Sequence, residues 1–371
     1  MRISGKLHSV WLMVVLFAMS VPIRSQTPAD SPGLPFTMTW TEGICPNCEI
    51  AKFLTSIQFT STNDGWGVGC TLDEPGNFIG HQEYCTIAHT VDGGSTWVEL
   101  PSVTQYPGRP ALWFNNPNQG WISWWRDAAA KYAKLIHTTD GGRHWKATTE
   151  QGFRELQFFD DHLGYGTGWG GSGGFFLTVD GGRTWNETKP SGITSVRKLF
   201  FFDSQTGWLA GPADSGIGVL RTIDGGRHWE VANIRTKNPT DIRALYFLDP
   251  VRGWLILNPN GVEGSRLYRT IDGGRTWSTD PDASFQGAGA WMSSVRFAHE
   301  NLGFAFYDTR AGTQQLQQYL LYTSDQGAHW QRIMLPAKVY ECRVFNGGVV
   351  CSAAKQQNGL LLLSVRPRSR P

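Results

Sequence analysis

The chain has 371 residues, with 33 Lys and Arg against 31 Asp and Glu, 40% hydrophobic residues and only 17% charged ones. That hydrophobic content excludes a disordered chain, and so little charge excludes a charged coiled coil. The 44 glycines keep no every-third-residue period, which excludes collagen; with 17 Trp they point to an all-β chain rich in tight turns.

Residues 1–25 come first and read as a secretory signal peptide. Arg2 and Lys6 precede a ten-residue apolar run, Val10 to Met19, too short to span a bilayer, and Ser20 to Ser25 offers a cleavage site. An uncleaved anchor is the alternative. Without Arg2, Lys6 and Arg24 the balance is 30 basic against 31 acidic residues, which gives no bulk electrostatic reason to bind nucleic acid or an anionic membrane. No later run is long and apolar enough to cross a membrane. The expected place is outside the cytoplasm, periplasmic or at the cell surface.

Six cysteines suit an oxidising compartment. Fifteen pairings are possible in principle; the expectation is three local ones, Cys45–Cys48, Cys70–Cys85 and Cys342–Cys351. Cys45 and Cys48 form a CxxC followed by Glu49, so it is not a haem attachment site, and no βαβ pattern surrounds it as a redox dithiol would need. A lone pair supplies too few ligands for zinc.

From Thr90 onward one box recurs six times. It reads T-x-D-x-G-x-(T/H)-W, with its aspartates at Asp92, Asp140, Asp180, Asp224, Asp272 and Asp325, spaced about 47 residues apart. Upstream of each box lies a second motif, aromatic–x–polar–xxx–Gly–aromatic, clearest at Phe159 to Tyr165, Phe202 to Trp208 and Phe247 to Trp254. Each unit therefore reads as four short strands, and four strands per 40–50 residues is the unit of a β-propeller. In the box, Asp accepts N–H bonds of the turn, Gly takes φ > 0 and Trp fills the gap between sheets. The 346 residues after position 25 hold about seven units. We expect one domain over 26–371, a seven-bladed propeller whose last blade joins strands from Val339–Phe345, Val349–Ser352 and Leu360–Val365 to an N-terminal strand at 36–41, leaving no open edge in the ring. Six blades with a loose end is the alternative.

T-x-D-x-G-x-T-W resembles the Asp-box, or bacterial neuraminidase repeat, of sialidases, xyloglucan-active endoglucanases, sortilin-type receptors and the photosystem II stability/assembly factors. A leader, a single propeller and F-x-D-x-x-x-G-W upstream of TxDGGxTW are most similar to the last group, over roughly 36–365. The resemblance implies a non-enzymatic assembly factor with a protein partner, lumenal in a photosynthetic host.

The six box aspartates look catalytic by number, but one peripheral turn per blade keeps them apart, so they read as structural. Arg154, Arg197 and Arg243 each lie six residues before the aspartate of a Phe-Asp turn, at Asp160, Asp203 and Asp249. They hold equivalent places on three successive first strands, and should form an arc around one mouth of the central channel. The choices are solvated rim residues or a patch that docks an anionic group. A sialidase-like enzyme is among the alternatives, although Arg109-Pro110 is not the Arg-Ile-Pro-type motif and no spacing links a Tyr–Glu pair. Another glycosidase would need facing carboxylates, for which Asp73, Glu74 and Asp127 in longer loops are the candidates. Trp124 and Trp125 are adjacent in a strand, so they face opposite ways, and one of them is a candidate for a glycan or protein contact. Gly164 to Gly174 lacks the context of a phosphate loop. His144, His228 and His329 replace Thr in the box, and no His spacing supports a metal. The expectation is a monomeric, non-catalytic binding propeller without a cofactor, with a carbohydrate-active or glycan-binding propeller as the alternative.

Overall fold

The structure is a computed structural model that describes residues 34–43, 54, 56–72, 83–101, 109–125, 133–168, 173–234, 240–259, 264–279, 291–309, 317–336, 339–345, 348–354 and 360–368. Strand β1 (Phe36–Gly43) comes first. Blade one is β2 (Ser56–Phe59), β3 (Gly65–Leu72), β4 (Glu83–Thr90) and β5 (Val98–Glu99). Blade two is β6 (Arg109–Phe114), β7 (Gly120–Trp125), β8 (Lys134–Thr138) and β9 (Lys146–Thr149). Blade three is β10 (Glu155–Phe158), β11 (Gly164–Thr167), β12 (Phe175–Thr178) and β13 (Asn186–Thr188). Blade four is β14 (Lys198–Phe201), β15 (Gly207–Ala213), β16 (Gly216–Thr222) and β17 (Glu230–Ile234). Blade five is β18 (Thr240–Phe247), β19 (Gly253–Pro259), β20 (Arg266–Thr270) and β21 (Ser278–Thr279). Blade six is β22 (Trp291–His299), β23 (Leu302–Thr309), β24 (Gln317–Thr323) and β25 (Gln331–Met334). Blade seven is β26 (Val339–Phe345), β27 (Gly348–Ala354) and β28 (Leu360–Pro367), with β1 paired outside β28. The fold is thus the all-β, seven-bladed propeller that the repeats predict. No helix among the described residues is long and apolar enough to cross a membrane.

Each first strand touches the first strand of the next blade, and β26 touches β2, so the ring closes. The second motif explains the fit between blades. Its glycine lies under the phenylalanine that ends the first strand of its own blade: a Cβ on Gly207 would stand 2.4 Å from the Phe201 ring. Its large aromatic then stacks on the phenylalanine of the following blade. Trp66–Phe114, Trp121–Phe158, Tyr165–Phe201, Trp208–Phe247 and Trp254–Phe297 have ring centroids 3.5–4.0 Å apart. Each such pair adds about 0.5–1.5 kcal/mol beyond the area buried. Three of the indoles also donate Nε1–H to a box carbonyl of the next blade, from Trp66 to Gly141, Trp121 to Gly181 and Trp208 to Gly273, at 2.8–3.1 Å.

A second tie runs between first strands. The Gln157 amide donates to the carbonyl of Phe201 at 2.6 Å and accepts from its N–H at 3.0 Å. Gln58 does the same to Phe114 at 2.8 and 2.9 Å. Neighbouring first strands belong to separate sheets, and here the side-chain amide supplies a ladder-like pair of bonds between them.

Because these contacts join equivalent positions, all first strands run the same way along the axis. The Phe-Asp turns and the boxes therefore share one end, where Gly93, Gly181, Gly225 and Gly273 donate N–H to the neighbouring turn. The other end carries the starts of the first strands and the connections between second and third strands.

Candidate functional site

The two ends differ. The box end consists of short turns of one repeated design. At the other end the connection between second and third strands spans residues 73–82 in blade one and 310–316 in blade six, yet only Asp214 and Ser215 in blade four. Long, varied connections on a rigid scaffold are where binding surfaces are built.

Toward this end, Arg154 and Arg197 immediately precede the first strands of blades three and four, and Arg243 is the fourth residue of the longer first strand of blade five. The N–H of Arg154 donates at 2.9 Å to Thr167, which already faces Glu155, and that of Arg197 donates at 2.8 Å to Ala210, which faces Lys198, so each is the extra residue of a two-against-one pair. Arg243 holds the same place, where β18 bulges between Ile242 and Ala244. The Arg243 Nε meets Asp241 of its own strand at 2.8 Å. Arg154 and Arg197 are partly buried, and Arg243 is exposed.

Two further groups, Glu155 and Lys198, belong to this arc and were missed in the sequence. The Glu155 carboxylate pairs with Lys198 Nζ across the blade boundary and accepts the Leu199 N–H at 3.0 Å. Burial pushes the Glu155 carboxyl up, but the Lys198 charge and these bonds, with Arg154 nearby, outweigh it and hold it below the usual range. The arc thus has four cations, Arg154, Arg197, Lys198 and Arg243, against two carboxylates, Glu155 and Asp241, a net formal charge of +2. Among the described residues no carboxylate pairs with Arg197, which stands at the middle of the arc.

The structure corrects one expectation. Trp124 is 2% exposed and packs between blades one and two with Trp66, Leu100 and Ile136, so it is not available for a surface contact. Blades have neighbours on both faces, so facing away from one sheet means facing another. Trp125 ends β7 opposite Arg109, and its side chain falls outside the described ones. Trp291 is an exposed tryptophan that was not singled out in the sequence. It is 39% exposed at the start of β22, in the blade beside Arg243 and on the same end. β22 bulges too, between Met292 and Ser294. A tryptophan outside both repeated motifs was the signal that could have found it.

The six box aspartates stay apart, one per turn at the opposite end. In each box the Thr Oγ1–H donates to Asp Oδ1 and accepts the N–H of the second glycine position, at 2.7–2.9 Å. Both carboxylate oxygens are consumed, because the residue before Trp donates its N–H to Oδ1 and its side chain contacts Oδ2. Thr96, Thr184 and Thr276 use a hydroxyl, at 2.6 Å, in blades one, three and five. His144, His228 and His329 use Nδ1, also at 2.6 Å, in blades two, four and six. The His144 N–H and ring hold the Asp140 carboxyl down at about 2. The first glycines of the boxes have φ near +70°; Gln326 takes that place in blade six at φ 63°.

Cys342 and Cys351 face each other across β26 and β27 and form a disulfide. Cys85 is disulfide-bonded and stands directly opposite Cys70 in the β3–β4 ladder. Cys45, Cys48, Asp73, Glu74, Asp127 and the leader lie outside the described residues. Among the described residues one group has metal-ligand composition, Asp160, Asp161 and His162 on an exposed turn. Asp160 Oδ1 already accepts the N–H groups of His162 and Leu163 at 2.7 and 2.6 Å, which accounts for its place.

No protein-family model and no curated protein sequence matches the chain. Among solved structures it is similar to YCF48 bound to D1 peptide, at 19% identity and a TM-score of 0.63, over 90% of this chain and 96% of that one. YCF48 from Cyanidioschyzon merolae gives 16% identity and a TM-score of 0.60, over 87% and 98%. The GH74 xyloglucanase from Xanthomonas campestris gives 13% and 0.52, over 81% of this chain but 50% of that enzyme. At these identities the likeness is one of fold.

Proposed function

We propose that the chain is a non-catalytic binding propeller that docks an acidic protein segment on its loop-bearing end and acts in protein-complex assembly outside the cytoplasm. One observation carries this reading: the arc of Arg154, Arg197 and Arg243 keeps a net positive charge, with Arg197 unpaired by any described carboxylate at its centre. A guanidinium presents two parallel N–H donors to a carboxylate, and a partly desolvated one binds it more strongly than one in open water. Trp291 beside the arc adds an apolar surface for a side chain of the same segment. The full-length likeness to a propeller described with a bound peptide supports the same reading.

The test is a pull-down from the native envelope with the chain carrying Arg154→Ala, Arg197→Ala and Arg243→Ala together. Partner recovery should fall at least tenfold, with the thermal midpoint close to that of the parent. Undiminished recovery sinks the proposal. The likeness to xyloglucanases carries the second reading, a glycan-active or glycan-binding propeller. Binding or cleavage of xyloglucan by the unmodified chain decides for it.

A further inference from the structure

The outer strands of blades one to six are short, from two residues in β5 and β21 to five in β17. The outer strand of blade seven, β1, has eight, all in register with β28. Among the described residues no strand pairs with its other side, so β1 presents the longest backbone edge on the rim of the ring. Proteins blunt such edges with Pro, Lys or bulges, because an open row of N–H and C=O groups is a template for another strand. The sequence FTMTWTEG has none of these within it, and its one charge is Glu42 near the end.

From this edge we infer that two copies of the chain pair through β1, antiparallel about a two-fold axis, joining two blades into one eight-stranded sheet. The occupant is a second copy because the strand is complementary to itself. Thr37, Thr39 and Thr41 occupy one face, and Phe36, Met38 and Trp40 the other. In an antiparallel register centred on Thr39, Thr37 meets Thr41 and Met38 meets Trp40. Threonine then faces threonine and Met38 faces Trp40, while the two Glu42 side chains stand at opposite ends, each across from the Phe36 of the other copy. Cross-strand pairs of these kinds are favourable, whereas like charges face to face are not. The chain is also close to electroneutral, so copies do not repel at long range. A partner blade made by one strand edge buries little side-chain area, so the dimer is weak and forms with rising concentration.

The purified full chain should move from monomer to dimer mass with concentration in analytical ultracentrifugation. Thr39 is exposed, so Thr39→Lys should leave the thermal midpoint in place and shift the dimerisation constant at least tenfold, while Thr39→Val keeps the dimer. Hydrogen exchange of the unmodified chain gives a second readout that needs no variant: amides of β1 should gain protection as concentration rises. A chain that stays monomeric to its solubility limit overturns the inference. So does a dimer that ignores Thr39→Lys or leaves β1 exchange unchanged.

Discussion

His137 shows how one side chain sets the response of a blade boundary to acid. It stacks on Trp121 with centroids 4.6 Å apart, and its Nε2 is buried with no partner among the described residues. Burial, reinforced by the charge of Arg183, lowers its pKa below the ordinary 6.5. The unfolded chain therefore takes up a proton on His137 before the folded chain does. Stability at neutral pH is lost as pH falls from the unfolded value toward the lower folded one. Urea midpoints should drop between about pH 7 and 5, and His137→Phe, which keeps the stack without the proton, should flatten that drop. An identical slope in the variant would assign the acid response to other groups.

Among elements, the first strands decide how blades meet. Gln157 replaces a ladder by one amide, and Gln157→Leu would leave the N–H and carbonyl of Phe201 without partners. The expected cost is about 1–3 kcal/mol, read from the urea midpoint; a loss no larger than that of an exposed-site control would contradict it. This tie was not legible in the sequence, where Gln beside Phe is unremarkable and bonding across a blade boundary leaves no periodic trace. The seven-bladed architecture was legible, because each box repeats a turn whose every polar group has a local purpose. The equivalence of Arg154, Arg197 and Arg243 could be read from register. The bulge on which all three sit could not, since neither Gly nor Pro marks it. Nor could the burial of Trp124: alternation says that two neighbours face opposite ways, but in a propeller both ways lead to another sheet.

For the whole molecule, the ring depends on β1 covering the last blade. Phe36 lies against Phe304 and Tyr322 with centroids about 5 Å apart, in a cluster with Leu363 and Val365. A chain lacking residues 1–43 should bind a hydrophobic dye, unfold at a lower temperature and regain stability when a peptide of residues 36–43 is added. Indifference to that peptide would mean that the strand only decorates the rim.

The boxes hold one more consequence, in the arithmetic of the circle. Threonine and histidine alternate from blade to blade through six boxes, as if the chain counted in twos. A ring with an odd number of members cannot be two-coloured; somewhere two neighbours must match or one must abstain. The blade that abstains is the seventh, which has no box and is assembled from both ends of the chain. The join in the chain and the fault in its parity thus coincide.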